Sequence, residues 1–214
     1  MSHDPLTLPA RLSLLAWDTA GPPSGGRPHP PGPARAGALV DLARRGLLTD
    51  RDGIATPADM DSRAGDAVLD GLLELVHESC PHSWRTWVTL RARVTADAVR
   101  EQLVAGGYLR AEKRRVLGVF PSVEYALERA AAAKVLREET REVLLGPLPA
   151  AAVAERDAAV AVLADAADLL GARTDRRRVE ELAERAGAPV PGLARIVHEV
   201  RAAVAATVPV PAPL

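Results

Sequence analysis

The side chains that could do chemistry in this sequence fall into a few tight groups. Asp66 and Asp70, in "ADMDSRAGDAVLD", stand four residues apart, so a helix would place both carboxylates on one face, as a magnesium or paired-acid site requires. Asp66 also falls where that helix would begin, and a carboxylate there is stabilised by the helix dipole. Capping is the simpler reading of it. His77, Cys80 and His82 form an H-x-x-C-x-H run, but a zinc site needs a fourth ligand and a closed geometry, and a helix end with ordinary polar residues is the simpler reading. Asp165 and Asp168 read as a polar helix stripe. No phosphate loop, H-E-x-x-H, G-x-S-x-G or dinucleotide glycine fingerprint occurs, so no catalytic residue and no cofactor is expected.

The remaining group is "GGYLRAEKRRVLGVFPSVEY", where Arg110, Lys113, Arg114 and Arg115 lie directly against Val116, Leu117, Val119 and Phe120. Three readings stay open. The segment is an ordinary hairpin whose cations keep its edge soluble, a hairpin whose apolar residues touch a membrane while the cations meet anionic head groups, or the wing of a DNA-binding helix. The last is the weakest, because the preceding helix carries Asp97 and Glu101 against a single Arg100.

Composition bounds these readings. The chain has 214 residues, 48% hydrophobic and 26% charged, with a formal net charge of −1. Any anion binding must therefore come from a local patch, and nucleic acid is not an expected partner. Aromatic residues make up 3%, so Leu, Val and Ala must fill the interior. Cys80 is the only cysteine, which excludes an internal disulfide and suits a reducing compartment. No apolar run approaches the roughly 20 residues of a spanning helix, and the start lacks the order of a secretion signal. A cytoplasmic location, with peripheral membrane association, is the expectation.

Punctuation by Gly and Pro predicts a mainly α fold: a single compact helical domain over 1–207 with one or two short β-hairpins. "TLPARLSLLAWD" predicts a first helix capped by Thr7. The stretch 19–33, "TAGPPSGGRPHPPGP", reads as a mobile loop. A helix follows from Ala34 to Arg45, stopped by Gly46, then a hairpin at Asp52-Gly53, a helix around Val68 to Val76, and one capped by Thr95 and ended by Gly106-Gly107. A hairpin is expected over 107–120, pairing Tyr108 and Leu109 with Val116 to Phe120. Helices are expected over Val123–Leu145, Ala152–Leu170, Asp175–Ala186 and Gly192–Thr207, and a disordered tail over 208–214.

Taken in order, "TLPARLSLLAWD", "ALVDLARRGLL", "GDAVLD" and "LVAGGYLRAEKRRVLGVFP" resemble the Golgi phosphoprotein 3 (GPP34) family in its short actinobacterial form, over roughly residues 6 to 206. The resemblance implies a helical fold with a projecting apolar hairpin. It also implies a non-catalytic peripheral membrane protein that binds the head group of phosphatidylinositol 4-phosphate, and in eukaryotic members a client protein. The family's pocket uses a tryptophan and three arginines. Two of the arginines correspond to Arg35 and Arg93; the third position holds Ala96, and the tryptophan position falls near Gly26. Arg91 and Arg27 are the nearby cations able to compensate. Arg35 and Arg93 are expected to meet at a solvent-open basic depression, and Arg114, Arg115, Val116, Leu117, Val119 and Phe120 to form a membrane-facing, partner-facing or self-associating hairpin. The alternative, from another class, is a helical enzyme acting on an isoprenoid or lipid-like diphosphate, with magnesium on Asp66 and Asp70.

Overall fold

The computed structural model describes residues 6–17, 30–116 and 120–207, with the backbone alone described at 113–116, 120–122 and 207. Helix α1 spans Leu8–Leu15 and α2 spans Gly32–Arg44. A hairpin of β1 (Leu48–Arg51) and β2 (Ile54–Pro57) follows, turning at Asp52 and Gly53, both at positive φ. Next come α3 (Ala67–Glu78), a two-residue strand β3 (His82–Ser83) that pairs with β2, the short α4 (Trp84–Thr89), and α5 (Ala92–Ala105). The second hairpin joins β4 (Leu109–Val116) to β5 (Phe120–Leu127). Helices α6 (Ala130–Leu145), α7 (Glu155–Ala166), α8 (Arg176–Gly187) and α9 (Leu193–Thr207) complete the described chain. The expectation of a mainly α fold with small hairpins holds.

The core is organised around α2 and α7. Both are apolar on nearly every side, as a helix surrounded by other helices must be. In α7, Ala158 to Ala164 are all at most 1% exposed. Around α2 pack α1, α3, α4, α5, α7 and α9. Its closest neighbour is α1, because Gly37 has no side chain: a Cβ there would stand 2.7 Å from Leu12 and 3.0 Å from the Pro9 backbone. That approach brings Asp41, fully buried, to the start of α1. Its Oδ2 accepts the Leu8 N–H at 3.0 Å, while Oδ1 accepts from Arg45 at 3.0 Å and Arg44 at 3.2 Å. Thr7 stands in the cap position but its hydroxyl makes no capping bond. The cap is therefore supplied by a distant residue, because the interior reaches the helix start and only a buried acceptor can serve it.

Other departures share this tertiary origin. Thr95 does not cap α5: the helix starts at Ala92 after Arg91 in the left-handed region, which leaves Thr95 inside it and buried. The last prolines of the expected loop are ordered, Gly32 and Pro33 forming the first turn of α2, where proline's missing N–H costs nothing. Residues 18–29 lie outside the described residues, as do 208–214. The second hairpin runs past the expected 107–120 to Leu127, and the expected helix over Val123–Leu145 begins only at Ala130. Its register pairs Leu109 with Leu127 and Val116 with Phe120, so the basic residues lie within β4 instead of at the turn. Pro121 does not end the strand, because in a two-stranded ribbon both strands are edges that tolerate a missing donor. Of the named hairpin residues, Leu117 and Val119 lie outside the described residues.

The hairpin is rooted at α5. Tyr108 O accepts the Glu128 and Arg129 N–H groups at 2.9 and 3.3 Å, and Arg129 lies over the Tyr108 ring at 4.9 Å. Beyond Leu109 and Ala126, which are buried, the described side chains of the ribbon are open to solvent or partly so.

At the other side of the core, Trp84 is fully buried, its Nε1 donating to Asp50 at 2.7 Å, and its ring lies against Gly192. Gly192 has a φ of +82°, and a Cβ there would stand 2.5 Å from the indole. Gly192→Ala combines backbone strain with overpacking, so it should lower stability by about 1 to 3 kcal/mol, read as a urea midpoint shift; an unchanged midpoint would show that the indole moves freely. Asp41→Ala should cost about 2 to 4 kcal/mol on the same measurement, since it strips the start of α1 and two arginines of their acceptor. Asp41→Asn, which keeps an oxygen for Leu8, should cost less.

Candidate functional site

The site is built where the first turn of α2 meets the junction of α4 and α5. After Leu90 ends α4, Arg91 adopts φ 50°, a conformation disfavoured for a residue with a Cβ. The turn points the Arg91 carbonyl back into the protein, where it accepts the Val94 N–H at 3.0 Å and Arg35 Nη2 at 2.6 Å. Arg35 thus meets the start of α5 through a backbone oxygen.

Arg35 is 0% exposed, so it does not lie in the solvent-open depression expected of it. Its Nε and Nη1 are enclosed and have no acceptor among the described residues. Burial pulls its pKa down from the ordinary guanidinium value to about 10, because the charged form has lost its water. A guanidinium with unmade hydrogen bonds is costly to bury, and an oxyanion is the group that satisfies it best, through charge-assisted bonds. The Arg91 and Arg93 side chains are exposed and form no hydrogen bond or ion pair with the described residues. Beside them Val94 is 62% exposed, an apolar side chain on the same open turn. Ala96, one turn further, is buried, and Arg27 lies outside the described residues.

The other candidate groups have structural employment. Asp66 caps α3, its Oδ1 accepting the Val68 and Leu69 N–H groups at 3.1 and 3.0 Å, and its Oδ2 accepts from Gln102 at 2.5 Å. Asp70 accepts the Ala64 N–H at 2.6 Å. Asp66 thus serves as the cap of α3, and Asp70 holds the turn that precedes it. His82 sets its edge on the Trp87 ring, with 5.3 Å between centroids, and Cys80 is exposed. Among the described residues no three His, Cys, Asp or Glu side chains are grouped to hold a metal, and no helix is long and apolar enough to cross a membrane. Side-chain chemistry alone missed the Arg91 carbonyl, since a backbone acceptor leaves no mark in residue type.

Comparison with known proteins gives the same direction as the fold. No curated protein matches the chain. The family model described as Golgi phosphoprotein 3 (GPP34) matches residues 8–207, from the first residue of α1 to the last of α9. The chain belongs to the Golgi phosphoprotein 3 family.

Proposed function

We propose that this protein is a non-catalytic, peripherally associated membrane protein that takes an anionic lipid head group, a phosphoinositide monophosphate, at Arg35. The observation that carries this reading is the fully buried guanidinium with two nitrogens that have no acceptor among the described residues. Such a group lowers stability unless something binds it, and retaining it is consistent with selection for an anion. Arg93 and Arg91 lie at the same helix start and add positive charge for a membrane surface, each worth about 1 kcal/mol near anionic lipid. Val94, next in the chain and 62% exposed, offers an apolar contact beside them. Family membership supports a lipid-binding, non-enzymatic role. The enclosure of Arg35 means that an incoming head group must displace what covers it, so binding and a local opening are coupled.

Flotation with vesicles containing phosphatidylinositol 4-phosphate, against vesicles of unphosphorylated phosphatidylinositol, tests the reading. Arg35→Ala should weaken association by roughly tenfold or more, since a charge-assisted contact is worth about 1.5 to 3 kcal/mol. Arg93→Ala should have a smaller, salt-sensitive effect. Arg35→Met should lose binding while leaving the melting temperature of the ligand-free protein unchanged or higher, as it removes unsatisfied donors from the interior. Flotation of Arg35→Ala equal to that of the unaltered protein would remove Arg35 from the head-group site.

A further inference from the structure

A concavity of about 1040 Å³ opens between α8 and α9, and Arg35 does not line it. Its walls are apolar: Ala183 and Gly187 from α8, and Leu193, Val197, Ala202 and Ala205 from α9. Among the described residues the polar side chains that line it are Arg195, His198 and Arg201, and no acid does. Each arginine holds one partner outside the groove, Arg195 to Asp50 at 3.3 Å and Arg201 to Asp165 at 3.1 Å, while their side chains stay 48% and 53% exposed. A guanidinium has five N–H donors, so both retain donors for another acceptor.

His198 extends the same pattern. Its Nδ1 lies 3.2 Å from Arg85 Nη2, and since a guanidinium can only donate, Nδ1 accepts and the ring proton sits on Nε2. The groove therefore presents side-chain donors without a side-chain acceptor along an apolar wall. From Leu193 to Ala205 that wall is about 18 Å long at 1.5 Å per helical residue. Arg195, His198 and Arg201 occupy about 9 Å of that length, so a complementary ligand sets an acceptor-rich, negatively charged group against this stretch and a hydrocarbon chain along the apolar residues beside it.

We propose that this groove binds a single-chain amphiphile with an anionic head, the chain lying along α9 and the head against Arg195, His198 and Arg201. The site is independent of the Arg35 reading, because it shares no residue with it. Two head chemistries share these features, a fatty carboxylate and an alkyl phosphate.

The test is titration of the full chain with dodecanoate, dodecyl phosphate and the uncharged dodecyl maltoside, each below its micelle concentration, followed by amide chemical shifts and calorimetry. Saturable binding of at least one anionic probe is expected, with shifts centred on Ala194, Ala202 and Ala205, and the tighter of the two names the head group. Arg201→Gln should weaken it by roughly tenfold, the worth of a charge-assisted contact. Ala202→Trp, on an exposed position that leaves the core untouched, should abolish it by filling the groove. Absence of saturable binding, binding of maltoside as tight as the anionic probes, or binding that survives Ala202→Trp would each overturn the proposal.

Discussion

A buried carboxylate at the middle of the core holds this fold in its arrangement. Asp41 lies on α2, yet its work is done at the start of α1 and on two arginines of its own helix end. Taking a carboxylate out of water is tolerated only where donors surround it, and here three donors converge from two elements. That requirement fixes the distance and the relative register of α1 and α2. Gly37 permits the same approach, and the remaining helices pack against the pair so formed. Moving α1 by one residue would leave Asp41 without the Leu8 N–H and would drive Leu12 into α2.

Arginine serves the opposite helix ends. Arg137 donates to the carbonyls of Leu15, Trp17 and Leu169, tying the end of α1 to the segment after α7. Arg178 reaches Val143 O near the end of α6, Arg185 reaches Val153 O, and Arg45 reaches Ala64 O. Lys113 and Lys134 are the only lysines in the sequence. A planar fork of several donors can serve two or three carbonyls at once, which a single ammonium on a flexible stem does less well. Against this background Arg35 stands apart. Among the described residues it makes one such bond, to Arg91, and has two enclosed nitrogens left over.

Much of the architecture was legible because helix stops are written in residue type. Gly46 and Gly107 adopt positive φ just past the ends of α2 and α5, as their positions suggested, whereas α7 stops at Ala166 instead of running to Gly171, with Asp168 in the left-handed region. What stayed hidden was decided by partners distant in sequence. Strand β3 exists because β2 offers it an edge, and nothing in His82-Ser83 itself announces a strand. The segment Val123–Leu127 is followed by alanines that read as helix, and only pairing with β4 holds it extended. At the candidate site, Arg35 and Arg93 were visible as residues at matching places in a family pattern. The burial of Arg35 and its bond to the Arg91 carbonyl were not visible, because they depend on a turn conformation that many sequences could adopt.

Helix α5 has 14 residues and is about 21 Å long, with Arg91 and Arg93 at its start and the hairpin rooted at its end. A body touching a plane through one small patch keeps freedom to pivot about that patch. A body touching through two patches at the ends of one stiff rod does not. If both ends of α5 meet the same surface, its axis is forced parallel to that surface and only rotation about the rod remains. The second contact then forms at a high effective concentration set by the rod, so two weak attachments combine into one of much longer lifetime.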